Sequence, residues 1–160
     1  MALALAAFGE GSMVAALTLP RLLDRLSDRP VMIAGAAALI VGTASGMVVG
    51  SYSALLVLWL ILGFGYSVAQ TPAGRLLRRS AHPEDRPAIF AAQFALSHAC
   101  WLICYPLAGY LGARAGMTAA FGAMAIIGLI GLALAWRLWP AADPTDVAHD
   151  HSGLPADHPH

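Results

Sequence analysis

Five long apolar stretches, separated by short polar segments, dominate the chain. They cover residues 1–19, 31–50, 52–74, 88–113 and 115–136. A bilayer core about 30 Å thick requires roughly 20 apolar residues of helix, because each residue advances the helix axis by about 1.5 Å. In lipid, a helix is the structure that pairs all its backbone groups within one segment. The pattern therefore predicts an all-α integral membrane protein with five transmembrane helices.

Composition supports a membrane class and argues against several others. Of the 160 residues, 59% are hydrophobic and 11% are charged, whereas soluble domains have about 45–50% apolar and about 25% charged residues. The formal net charge of zero gives no sign of a nucleic-acid partner, and two cysteines do not make a disulfide framework. The sequence contains no nucleophile-base set, phosphate loop or pair of catalytic carboxylates. We therefore expect a protein that contacts the lipid bilayer, is not an enzyme and needs no cofactor.

Arginine placement predicts the orientation of the helices. All nine basic residues are arginines, and most lie in the loops after the first and third apolar stretches: Arg21, Arg25, Arg29, Arg75, Arg78, Arg79 and Arg86. The positive-inside rule places both loops, and the C-terminal tail, in the cytoplasm. Because frequent Ala, Gly, Arg and Pro suggest a GC-rich bacterial genome, the expected location is the inner membrane.

The first arginine-rich loop carries a recognisable order of residues. In "LPRLLDRLSDRPVM", Asp24 and Arg25 form an acid-base pair, and Arg29 follows as a further basic residue. This order resembles the loop signature of the major facilitator superfamily of secondary transporters, in which a glycine precedes Asp-Arg by four residues and a second glycine and basic residues follow. Pro20 and Ser27 stand where that signature has its two glycines. Asp24 and the nearby Asp28 are also placed to pair with arginines of the same loop.

The resemblance covers most of the chain. Downstream, "ILGFGYSVAQTPAGRLLRRS" is similar to the tenth helix of the family, so the five helices, over residues 1–139, correspond to helices eight to twelve. This implies a partial major-facilitator-type bundle in which Asp24, Arg25 and Arg29 form a cytoplasmic gating latch. The number of helices is odd, and the first helix would have to begin on the outer side of the membrane. Both features predict a C-terminal piece of a longer transporter. Its missing N-terminal half is then an expected partner.

Polar side chains inside the predicted helices are the candidate substrate contacts, because polarity within the membrane is costly unless it faces a cavity or a partner. Tyr66 and Gln70 belong to one stripe on the third helix, and Gln93 and Ser97 to another on the fourth. The two stripes are predicted to line an aqueous path for a small-molecule substrate. The alternative is that they only bond neighbouring helices. His98 lies off the stripe and is interpreted as a packing histidine.

Glu10 is the candidate for proton coupling. Its neighbours on the same helix face are Leu3, Val14 and Leu17, so the first helix offers it no partner. A charged group near a helix centre costs about 2.5–3.5 kcal/mol on insertion scales. A carboxyl group in such a place can exchange a proton during transport. The alternative is that a helix outside this sequence neutralises it.

Two other patterns give structural and metal-binding predictions. Gly42, Gly46 and Gly50 recur every four residues and form a smooth ridge where another helix can approach. Residues 140–160 have no apolar periodicity and are predicted to be a disordered tail. Within that tail, two His-x-His pairs can hold a transition metal weakly, although a solvated tail without specific use explains them too. They are His149, His151, His158 and His160.

Three functional hypotheses follow from these features. The first is a proton-coupled permease of the major facilitator superfamily that exports a small solute. The second is a metal-ion exporter whose histidine-rich tail binds the metal. The third is a non-transporting membrane fragment that docks against a separately encoded N-terminal half.

Overall fold

A computed structural model describes residues 1–140, which form five α-helices joined by short loops. The helices are α1 (Ala2–Leu23), α2 (Asp28–Ser45), α3 (Tyr52–Arg79), α4 (Arg86–Ala115) and α5 (Met117–Leu138). A 3₁₀ turn, Gly46–Val48, follows α2. All five helices are long and apolar enough to cross a membrane. The predicted fold class is thereby confirmed, while the tail prediction lies outside the described residues except for Pro140.

Helix α3 continues well beyond the apolar stretch that predicted it. The third stretch ends at residue 74, but α3 continues through "RLLRR" to Arg79. Leucine and arginine are good helix formers, and no proline or glycine interrupts this segment. Apolar length therefore fixes where a helix leaves the lipid, whereas local propensity fixes where it ends.

The helices pack around α3, which contacts both α1 and α2, while α5 contacts α2 and α4. A small core lies where the first three helices meet. It consists of Ala15 and Leu19 of α1, Val31 of α2 and Val68 of α3, all buried, with Leu23 packed against them. Most other large apolar side chains of the described residues are exposed on the surface. That distribution suits helices that pack closely on one side and contact lipid on the other.

Glycines allow α1 and α3 to touch through their backbones. A Cβ atom at Gly11 would overlap the carbonyl oxygen of Leu60, and one at Gly63 would overlap that of Phe8. Each helix therefore presents a glycine to a carbonyl of the other. A third glycine, Gly35, brings α2 so close to α3 that a Cβ there would lie 2.5 Å from the backbone nitrogen of Ala69. These contacts are the small-residue packing expected between membrane helices.

The glycine ridge predicted on the second helix is interrupted, because α2 ends at Ser45, Gly46 begins the 3₁₀ turn and Gly50 lies in the loop before α3. Its first two members make side-chain contacts. A Cβ at Gly42 would lie 2.9 Å from Leu62 of α3, and one at Gly46 would lie 2.5 Å from the ring of Phe121 of α5. Gly50 faces open space. The closest backbone approaches thus occur at other glycines, because the rotation of each helix about its axis decides which glycines meet a neighbour.

Helix α4 is the least covered element. It has 30 residues, all described, and none of them is buried. Its contacts are mainly with α5 and only slight with α3. The helix therefore presents most of its surface outside the described bundle.

The glycine contact between α1 and α3 makes a direct prediction. Gly63→Ala should destabilise the protein, because the added methyl group overlaps the Phe8 carbonyl and forces the helices apart. Overpacking of this kind costs typically about 1–3 kcal/mol. Gly74→Ala, in the same helix and with no atom within 4 Å of the new Cβ, is the matched control. Thermal unfolding in detergent should show a lower midpoint for Gly63→Ala alone, and equal midpoints would contradict the packing described above.

Candidate functional site

A buried carboxylate marks the end of the bundle where α2 begins and α3 ends. Asp28 is 3% exposed. Its Oδ1 accepts hydrogen bonds from Arg75 Nε at 3.0 Å and Arg75 Nη2 at 2.5 Å. Arg79 Nε lies 3.9 Å from Oδ2. Two guanidinium groups of α3 thus hold one carboxylate of α2, an arrangement we call the Asp28 cluster.

Local structure explains why opposite charges meet there. Asp28 lies in the first turn of α2, where the helix dipole favours a negative charge. Arg79 lies in the last turn of α3, where the dipole favours a positive one, and Arg75 lies one turn earlier. Val31, one turn inside α2, packs against Val68 in the core and holds the two helix ends together. The buried core therefore positions the ion pair.

The residues of the predicted gating latch occupy different places. Asp24 ends α1, where its backbone N–H donates to the Pro20 carbonyl oxygen at 3.2 Å. The side chains of Asp24 and Arg25 are exposed and line an open crevice of about 430 Å³ beside the Asp28 cluster. Asp28 was not among the predicted latch residues and was expected to pair within its own loop, whereas its partner Arg75 lies 47 residues away in the sequence. The feature of the sequence that points to these partners is the i, i+4 spacing of Arg75 and Arg79, which puts both side chains on one face of α3.

Arg29, the third predicted latch residue, reaches the end of α5. Its Nε donates to the carbonyl oxygen of Trp139 at 3.1 Å, and its Nη2 donates to that of Trp136 at 3.3 Å. Its guanidinium carbon also lies 5.0 Å from the centre of the Trp136 ring. Carbonyls in the last turn of a helix lack partners within the helix. Arg29 therefore caps α5 and joins it to the start of α2.

The predicted substrate contacts form two separate pairs. On α3, Tyr66 packs against Phe8 with 5.8 Å between ring centres, and the exposed Gln70 follows one turn later. On α4, Gln93 Nε2 donates to Ser97 Oγ at 3.1 Å. Among the described residues, no hydrogen bond joins one pair to the other. Tyr66 and Gln70 are exposed, so this part of α3 remains accessible at the surface.

His98 is part of an exposed row of aromatic rings on α4. Its ring centre lies 3.8 Å from that of Phe94 and 4.8 Å from that of Trp101, and Trp101 stacks on Tyr105 at 6.1 Å. Its Nδ1 is 2.8 Å from the Phe94 carbonyl oxygen. His98 thus packs within its own helix.

Glu10 lies near the middle of α1 and is exposed. It lines a crevice of about 280 Å³ between α1 and α3, whose other lining residues are apolar. Among the described residues, no side chain forms a hydrogen bond or ion pair with Glu10. The same two helices share a polar contact that the sequence did not predict: Ser12 Oγ and Ser67 Oγ are 2.6 Å apart. That pair satisfies two hydroxyl groups at the helix interface.

The predicted metal ligands cannot be placed. His149, His151, His158 and His160 lie outside the described residues. Within residues 1–140, no three His, Cys, Asp or Glu side chains come together as a metal site. The metal-binding tail therefore stays a sequence prediction.

The Asp28 cluster gives a testable prediction about stability. Asp28→Asn should destabilise the protein by about 1–3 kcal/mol, because it removes a charged acceptor that Arg75 binds with two hydrogen bonds. Asp24→Asn changes an exposed aspartate of the same loop and should leave stability nearly unchanged. Denaturation in mixed micelles measures both variants, and equal losses would show that the cluster does not hold α2 to α3.

Comparisons with known proteins agree with this architecture. The sequence model of the major facilitator superfamily matches residues 1–156. Neither the comparison with curated proteins nor the comparison with solved structures gives a match. Because the family match covers almost the whole sequence and the described residues form five membrane-spanning helices, the chain belongs to the major facilitator superfamily of secondary transporters.

Proposed function

We propose that this chain supplies part of a proton-coupled transporter that exports a small solute, with Glu10 as the group that exchanges the proton. The observation that carries the proposal is the place of Glu10 in the fold. Its carboxylate stands about 12 Å along the axis from the start of α1, within the lipid-crossing segment. It lies at an open, otherwise apolar crevice without a described ion-pair partner. A carboxyl group that reaches such a crevice can take up and release a proton.

The exposed surface of α4 supports a second part of the proposal. We infer that an N-terminal half of the transporter packs against this helix, since none of its 30 residues is buried. Transport of the solute then takes place between the two halves, and the polar residues Tyr66, Gln70, Gln93 and Ser97 contribute to the path.

The Asp28 cluster has a role in gating under the same proposal. Asp28, Arg75 and Arg79 hold the ends of α2 and α3 together, and Asp24 and Arg25 line the adjoining crevice. The crevice is open, and the Arg75 side chain is 44% exposed. Water or a charged group of the other half can therefore reach the ion pair and compete for it. Such an ion pair can stabilise one conformation of the transporter and be broken in another.

Replacement of Glu10 tests proton coupling. For every solute that the wild-type transporter accumulates in inverted bacterial membrane vesicles under a pH gradient, Glu10→Gln should reduce accumulation to the background level, because an amide cannot carry the proton. Glu84→Gln, which alters an exposed acid in the loop before α4, is the matched control. Equal accumulation by Glu10→Gln and wild type would refute the assignment, and accumulation in right-side-out vesicles instead would refute export.

The proposed orientation can be measured independently. The start of α2 contacts the end of α3, so the two arginine-rich loops lie at the same end of the bundle, and we assign that end to the cytoplasm. Single cysteines introduced at Arg25 and Arg78 in a Cys100→Ser, Cys104→Ser background should resist a membrane-impermeant maleimide in intact cells. A cysteine at Ser51, in the opposite loop, should react. Labelling from outside of the cysteines that replace Arg25 and Arg78 would show that these loops face outward and would contradict the proposed orientation.

A further inference from the structure

We infer that the crevice between α1 and α3 binds a small organic monocation with an apolar body, whose charge pairs with Glu10. The inference rests on the proposed function and names the class of solute. It starts from the chemistry of the crevice lining. Glu10 is the only titratable or charged residue among the seven that line it. The remaining six come from α1 (Leu3, Ala6 and Ala7) and α3 (Leu56, Val57 and Leu60).

Charge complementarity selects the sign of the ligand. No described side chain supplies a positive partner to Glu10, and the apolar lining offers it no hydrogen-bond donor. A lone carboxylate in such surroundings is costly. A cation in the crevice removes that cost, whereas an anion or a neutral polar solute adds to it. The apolar walls then favour a body of hydrocarbon around or beside the charge.

Size limits the ligand further. The crevice has a volume of about 280 Å³, at the lower limit of small-molecule sites, which are commonly about 300–1,000 Å³. A single aromatic ring with a trimethylammonium head suits this volume better than a drug-sized compound. Tightly packed walls also restrict expansion, because the α1 backbone touches the α3 backbone at Phe8 and at Gly11, on either side of Glu10 along the chain.

The same carboxylate serves the cation and the proton in turn. When the cation pairs with Glu10, the carboxyl proton is released; when the proton returns, the cation leaves. The crevice therefore holds one positive charge in either state, and one cation exchanges for one proton. This exchange is the step that an antiporter requires, and it places both partners at one residue.

Binding of a permanent cation tests the inference without any transport. The probe is benzyltrimethylammonium, and its neutral isostere is 2,2-dimethylpropylbenzene, in which carbon replaces nitrogen. Calorimetric titration of the whole chain in neutral-lipid nanodiscs, with empty nanodiscs as the reference, gives the two affinities. The cation should bind at least about tenfold more tightly than the isostere.

Three variants separate the possible outcomes. Glu10→Gln should lower cation affinity by at least about tenfold, while leaving the isostere unaffected. Val57→Phe should weaken both ligands, because the larger ring fills the crevice; Val57 is 59% exposed, so the substitution does not disturb the core. Glu84→Gln should change nothing. Equal binding of cation and isostere, or unchanged cation binding in Glu10→Gln, overturns the inference.

The result also distinguishes this inference from the proposed function. Cation binding that depends on Glu10, together with proton-driven accumulation that survives Glu10→Gln, refutes Glu10 as the proton-coupling residue and leaves the cation site standing. Loss of accumulation in Glu10→Gln without any cation binding has the opposite meaning. In that case Glu10 carries the proton and the solute binds elsewhere.

Discussion

Backbone contact between α1 and α3 is the constraint on which the rest of the described bundle depends. Lipid tails are as apolar as leucine, so burial of apolar surface gives membrane helices little reason to associate. Close packing must supply the attraction instead, and it requires surfaces without protruding side chains. Gly11 and Gly63 provide such surfaces reciprocally, each accepting a carbonyl of the other helix, and Gly35 brings α2 to the same partner. As a result α3 lies fixed between two neighbours, and its polar and charged groups have defined positions.

The place of Asp28 follows from that packing. Once α2 lies against α3, Asp28 in the first turn of α2 is buried beside the last turns of α3, and a carboxylate there needs cationic partners. A buried ion pair contributes little net stability when compared with apolar residues of similar shape, although removal of one partner is costly. Here the ion pair satisfies the buried carboxylate and joins the two helix ends. Because Arg75 remains partly exposed, the same contact can be replaced by water when the helices move.

Residue types and spacing predicted which segments span the membrane, but not which faces of the helices pack against each other. The five helices follow from apolar length, and the arginine loops predicted that the starts of α2 and α4 lie at one end. The contacts between helices depend on rotation about each axis, which a period of 3.6 residues leaves open when nearly every position is apolar. For this reason the ridge at Gly42 and Gly46 was visible in the sequence, whereas the closest contacts at Gly11 and Gly63 were not. The local loop pattern likewise directed attention to Asp24, because the partners of Asp28 come from a distant segment.

Glu10 lies between two backbone contacts of α1 with α3. The residue that follows it, Gly11, touches the Leu60 carbonyl, and Phe8 two residues before it touches Gly63. A change of charge or ligand at Glu10 therefore cannot be absorbed by a local shift of α1 away from α3 without loss of both contacts. Packed helices move as units rather than deform continuously. Arg75 follows Leu60 by 15 residues, about 22 Å along α3, so a displacement of the α1–α3 pair would reach the Asp28 cluster, where an ion pair open to water joins α3 to α2. Under the proposed function, this rigidity would link occupancy at Glu10 to release of the ion pair at the other end of α3.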